Sequence, residues 1–171
     1  MNAARGARAA FPRPTRRDNI APLKRVNLNT DELERSSSRE GYRWRGTRVG
    51  DSIGAERIGG SVYDLDDGQL TFPYNFHHGV EEWLYVIDGS PVLRTPQGEQ
   101  VLTKGDFACF QQGPAGAHSV RGPGRVLILS ANQVPSIAEY PDSDKVGTRP
   151  ADPSDRLNFL RSDAVDYWEG E

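Results

Sequence analysis

FHHGVEEWLYVIDG, residues 76–89, is the most informative stretch of this chain, holding two of its three histidines, two glutamates, an apolar run and a closing Asp-Gly. The third histidine, His118, sits in a second compact cluster, GDFACFQQGPAGAHSVRG, residues 105–122. Side chains alternate across a strand, so Glu82, Leu84 and Val86 share one face while Trp83, Tyr85 and Ile87 share the other. A carboxylate entering the Leu84/Val86 face needs a cation or strong donors, because an unpaired buried charge is costly. The same parity sets His118 beside Val120. A carboxylate and an imidazole, each at the start of an apolar strand face, can therefore point into one interior, and a metal site of His, Glu and His on neighbouring strands accounts for the concentration.

The third position follows from the same alternation. In a regular strand Asn75 and His77 share one face, and Phe76 and His78 the other. Two polar groups suit a metal pocket better than a phenylalanine beside an imidazole, which favours His77. Gly79 follows at once and allows the backbone to bend, so His78 stays open as the alternative.

On either side of these clusters, strand-like segments recur at 42–49, 56–64, 70–77, 82–87, 91–95, 100–103, 107–111, 117–121 and 125–130. They are separated by turn chemistry: Asp66-Asp67-Gly68, Asp88-Gly89, Pro96-Gln97-Gly98, Lys104-Gly105-Asp106 and Gly122-Pro123-Gly124. The pattern predicts an all-β sandwich, jelly roll or small barrel. Eighteen glycines and twelve prolines in 171 residues fit many short strands joined by turns. That length allows one domain with tails.

Residues 1–17 carry five arginines, no acid, and prolines that interrupt any helix. They read as the core of a disordered basic tail over 1–22. Residues 23–135 read as the barrel with its lead-in, whose polar sequence leaves room for at most one short helical turn, around 31–35 with Thr30 as N-cap. Residues 136–171 form a C-terminal extension that packs on the barrel or on a partner; 137–155 is polar and rich in Pro and Asp, like a linker or a surface loop. The net charge of -3 gives no basic footprint for nucleic acid and no polybasic membrane signature. No apolar run is long enough to span a bilayer. The lone cysteine, Cys109, lies in an apolar strand, reads as a small buried core residue and fits a reducing compartment, so the expected address is the cytoplasm. Trp44, Trp83 and Trp168 read as core or interface packing, and Arg94, Lys104 and Arg125 as a solvated rim.

Together the two clusters resemble the paired motifs of the cupin superfamily, small single-domain cupins of the RmlC-like type. Glu82 and Gly89 match the first motif, His77 its second histidine, and Asn75 stands where the first histidine is expected. Gly105, Asp106, Gly113 and His118 follow the order of the second motif. Gln111 and Gln112 replace its usual proline region, and Gly122 stands where asparagine commonly ends it. The resemblance implies a double-stranded β-helix, a jelly-roll barrel with irregular N- and C-terminal extensions. It also implies one divalent transition metal (Mn, Fe, Ni or Zn) held by His77, Glu82 and His118, with Asn75 as an oxygen-donating substitute. The expected function is binding of the metal and a small oxygen-rich metabolite in the barrel, with oxygenation or isomerisation as candidate reactions. The alternatives are a non-catalytic carbohydrate or small-molecule binder and an oligomeric scaffold with a vestigial site. The apolar face of Trp83, Tyr85 and Ile87 needs a cover, supplied by the N-terminal strands or a second subunit, and the expected assembly is a homodimer.

Overall fold

The computed structural model describes residues 22–171; all but the last residue of the basic N-terminal tail lies outside them. The strands are β1 (Arg35–Arg39), β2 (Tyr42–Thr47), β3 (Ile58–Leu65), β4 (Phe76–His78), β5 (Glu82–Gly89), β6 (Val92–Thr95) and β7 (Gly98–Val101). They continue with β8 (Phe107–Phe110), β9 (Ser119–Arg121), β10 (Gly124–Ala131), β11 (Ser136–Tyr140), β12 (Lys145–Arg149) and β13 (Asn158–Leu160). One short helix, α1 (Val49–Ile53), lies between β2 and β3.

A six-stranded sheet runs β1-β2-β3-β10-β5-β8, with every pairing antiparallel. A four-stranded sheet, β13-β12-β11-β4, and a three-stranded sheet, β7-β6-β9, are joined by an isolated bridge between Asn75 and His118. The core lies between the two layers. Leu65, Leu84, Val86, Val126 and Ile128 come from the large sheet, and Leu93 and Val120 from the small one. Each such side chain, fully removed from water, contributes about 1.5–3 kcal/mol. The fold is all-β, as the strand spacing predicts, and among the architectures that the spacing leaves open it is the jelly roll that the resemblance implies.

The lead-in covers part of the large sheet's outer face. Val26, Leu28 and Leu33 pack against Val49, Val62 and Ile87, and Arg125 Nη1 donates to the Leu28 and Asn29 carbonyls. No helical turn forms over 31–35, where the sequence allows at most one. Asn27 instead closes a turn, accepting from Asn29 N through its side chain and from Asp31 N through its carbonyl, and the chain enters β1 directly.

Two further expectations are corrected. Within the polar stretch 137–155, β11 and β12 pair with each other and β11 pairs with β4, so the apparent linker is part of the sheet beside the candidate site. Cys109 is exposed rather than buried. It shares parity with Phe107 on the outer face of edge strand β8, and its Sγ accepts from Trp83 Nε1 at 2.9 Å. On that same face Trp83, Tyr85 and Phe107 are exposed, so among the described residues the lead-in covers only the Ile87 end. Among the described residues no helix is long and apolar enough to cross a membrane.

Candidate functional site

His77 lies in β4, Glu82 opens β5, and Asn75 and His118 immediately precede β4 and β9. Asn75 and His118 exchange both backbone hydrogen bonds, Asn75 N to His118 O at 3.1 Å and His118 N to Asn75 O at 2.8 Å. Residues paired in this way project their side chains to one face. Asn75 Nδ2 donates to Pro73 O at 2.8 Å, which commits the nitrogen end of the amide and leaves Oδ1 as its other end. Gly113 N donates to His77 O at 2.9 Å, fastening the second motif to the first. Asp106 closes the preceding turn by accepting from Thr103 N.

Glu82 joins the two imidazoles. Its Oε2 lies 3.2 Å from His77 Nε2 and 3.5 Å from His118 Nε2. His78 turns the other way, half exposed, and its Nε2 lies 2.8 Å from Glu139 Oε1; Glu139 also pairs with Arg161. The geometry therefore brings His77, Glu82 and His118 to one place, sets Asn75 beside His118 through the backbone bridge, and leaves the alternative, His78, in a surface ion pair.

The surroundings of His118 fix its chemistry. Phe110 stacks flat on the imidazole, with centroids 3.7 Å apart, and Phe72 meets it edge-on at 5.5 Å. Burial in this aromatic setting holds its pKa below the ordinary value, against the opposing pull of Glu82 and of its contact with the Gly116 carbonyl. Nδ1 lies 2.9 Å from that carbonyl. A carbonyl can only accept, so Nδ1 carries the proton and Nε2 presents its lone pair. Nε2 is buried and has no hydrogen-bond partner. Gly116 cannot be otherwise, since a Cβ there would overlap the Gln111 carbonyl oxygen.

For Glu82, burial pushes the pKa up, but the His77 hydrogen bond and the electrostatic pull of its neighbours, His77 first, outweigh it, so the carboxyl lies below its usual range. The interior thus holds an ionised carboxylate facing a neutral imidazole. Phe72 and Phe110 clamp the ring, yet neither is legible as a site residue in the sequence. The available signal is parity, which sets Phe110 with Ala108 on the inner face of β8.

Among the described residues no three His, Cys, Asp or Glu side chains form a ready-made metal cluster; the contacts run as two His–Glu approaches sharing one oxygen. Two donors bound cis or tetrahedrally at about 2.0–2.2 Å from one ion lie roughly 3.0–3.5 Å apart. Both approaches to Glu82 Oε2 fall in that range.

No protein-family profile and no curated protein matches the chain in sequence. Solved structures do match in shape. A sugar phosphate isomerase of the cupin superfamily from Silicibacter pomeroyi superposes with a TM-score of 0.69 at 22% identity, over 82% of this chain and 94% of that one. A candidate sugar phosphate isomerase from Acidithiobacillus ferrooxidans gives 0.67 at 23%, over 74% and 81%. The polyketide cyclase RemF from Streptomyces resistomycificus gives 0.50 at 20%, over 67% and 84%. With its antiparallel layers, its interior carboxylate and imidazoles, and these neighbours, the chain has the cupin fold.

Proposed function

We propose that the barrel binds one first-row divalent metal ion through His77 Nε2, Glu82 Oε2 and His118 Nε2, with Asn75 Oδ1 as a weaker oxygen donor, and that a small oxygen-rich metabolite binds beside it. One observation carries the reading. The buried lone pair of His118 Nε2 faces the ionised Glu82 Oε2 with no donor between them. Two acceptors in that position repel, and a cation between them turns the repulsion into attraction. The donor set suits the chemistry: neutral imidazole nitrogens and one carboxylate select a borderline divalent ion. The Gly116 carbonyl supports it by fixing the tautomer that directs Nε2 inward.

When bound, such an ion supplies Lewis-acid polarisation of a ligand oxygen. The chain's own part is to orient the two imidazoles through Phe110, Gly116 and Glu82, to keep His118 neutral, and to exclude water with the Leu84, Val86 and Val120 core. Two of the neighbours are described as sugar phosphate isomerases; the likeness is one of fold, and it makes phosphorylated sugars the first compounds to test. Metal analysis of protein purified without chelators checks the reading. The expected result is about one ion per chain in wild type and none in Glu82→Ala; equal metal content in both would end it.

The open outer face calls for a second copy of this chain. Trp83, Tyr85 and Phe107 are exposed there, and the C-terminal arm exposes Leu157, Phe159, Leu160, Val165, Tyr167 and Trp168. Face and arm together present apolar surface on the order of 800 Å² per copy, about what each partner contributes to a stable interface. Residues 151–171 hold six acids and two arginines, whereas 1–17 hold five arginines and no acid, so the ends of two copies attract.

A further inference from the structure

A cleft of about 320 Å³ opens where the three sheets meet. Its walls come from β1 and β2 (Arg39, Tyr42), from β6 and β9 (Arg94, Arg121), and from the turn into β12 (Asp142, Lys145). Leu93 and Val120 point into the core, so their chain neighbours Arg94 and Arg121 project to the opposite side of the same strands. The cleft and the candidate metal site are therefore back to back, with the β6–β9 pair between them.

Charge decides what the cleft can hold. Four cations line it against two carboxylates, Glu99 and Asp142. Both carboxylates are already used. Asp142 grips Arg94 through both oxygens, at 2.6 and 2.9 Å, and Glu99 Oε2 accepts from Arg121 Nη2 at 2.9 Å. Arg39 and Lys145 form no ion pair among the described residues, and they stand on separate walls. The Asp142 carboxylate also shows that an anion is accommodated here: the guanidinium it grips lies 4.0 Å from the Tyr74 ring, which holds Arg94 in place.

We propose that this cleft binds a small phosphate monoester, its dianionic head drawn between Arg39, Lys145 and the exposed edge of Arg121. Two uncompensated cations match a dianion better than a monocarboxylate. The volume, near the lower end of roughly 300–1,000 Å³ for small-molecule sites, admits a compact body lying against Tyr42 and Tyr74. The site does not depend on the metal reading, because Arg39, Arg121 and Lys145 form no hydrogen bond or ion pair with His77, Glu82 or His118 among the described residues; the two sites are linked through the backbone, by Pro73 O accepting from Asn75 Nδ2 and by Ser119 following His118.

Calorimetric titration of the full chain, freed of metal with a chelator that is then dialysed away, tests it with inorganic phosphate and with glycerol 3-phosphate against glycerol, at fixed ionic strength. The expected result is saturable binding of one phosphate per chain and none of glycerol. Arg39→Ala and Lys145→Ala should each weaken it about tenfold, the loss of one charge-assisted contact, and Asp142→Asn should tighten it by releasing Arg94. Arg39 is exposed and Lys145 half-buried at the rim, so both variants should fold, which circular dichroism checks. Absent binding overturns the proposal, as does affinity equal to wild type in both alanine variants, or phosphate binding that appears only when metal is restored. That last result would place the anion in the barrel and leave the metal reading standing.

Discussion

His118 Nε2 lies 3.5 Å from Glu82 Oε2, buried and with no hydrogen-bond partner. Glu82→Gln keeps the size of the side chain and changes its contacts with both imidazoles: its amide NH₂ can donate to His118 Nε2 where the carboxylate cannot, and its amide oxygen can still accept from His77 Nε2. The metal-free variant should be as stable as wild type or more so, by about 1 kcal/mol, while its metal content falls at least tenfold. Thermal melts and elemental analysis on the same samples separate the two effects. A variant that loses stability and keeps its metal would mean that His118 is protonated on Nε2 and hydrogen-bonded to Glu82.

His77 and His78 are adjacent in sequence and opposite in fate. His77→Ala should abolish metal binding. His78→Ala should leave it unchanged and cost no more than about 1 kcal/mol, the usual limit for an exposed ion pair. Equal effects on metal content would show that β4 presents either histidine to the barrel.

The pH dependence has a definite sign. His118 has a folded-state pKa below its unfolded value near 6.5, so between the two the unfolded chain binds a proton that the native chain does not. Stability therefore falls as pH drops below about 6.5. Glu82 is also depressed, and its contribution is lost as pH falls below about 4.3 through its folded pKa. Both groups act in the same direction, and urea titrations at pH 7.5, 6 and 5 should give steadily lower midpoints. A midpoint that does not change between pH 7.5 and 5 would show that His118 is as easily protonated in the fold as outside it.

Parity made Glu82 and His118 legible because a polar residue at the head of an apolar strand face has few reasons to be there. The same rule separated His77 from His78. It failed for β1, whose Ser-rich sequence is open on both faces and is held by its ladder with β2. It failed again for β11 to β13, where Pro and Asp in the connecting turns conceal short strands with few core residues. Cys109 reads as buried because an apolar strand suggests cover on both sides, while β8 is an edge strand with an open outer face. The aromatic clamp on His118 depends on Phe72 and Phe110 meeting across the two layers, a relationship that no local pattern encodes.

Asn75 occupies the position where the cupin pattern has a histidine. It is buried, and it shares a bridge with His118. Asn75→His replaces a hard amide oxygen with an imidazole nitrogen, and zinc affinity measured by chelator competition should rise about tenfold. Unchanged affinity would place Asn75 outside the coordination shell.

The assembly prediction rests on Phe107, which is 62% exposed on an edge strand between Trp83 and Tyr85. An aromatic so placed is either a hazard or half of an interface. Light scattering at micromolar concentration should give the mass of a dimer. Phe107→Asp puts a charge at the centre of the patch and should weaken association at least a hundredfold, the size of a central hot spot at about 2–4 kcal/mol. Removing 157–171 should have a comparable effect, because the arm supplies the other apolar surface. Raising salt should weaken the dimer only modestly, since the charged ends steer the encounter while the aromatics hold the complex. A monomeric wild type would mean that the patch faces a different partner or none.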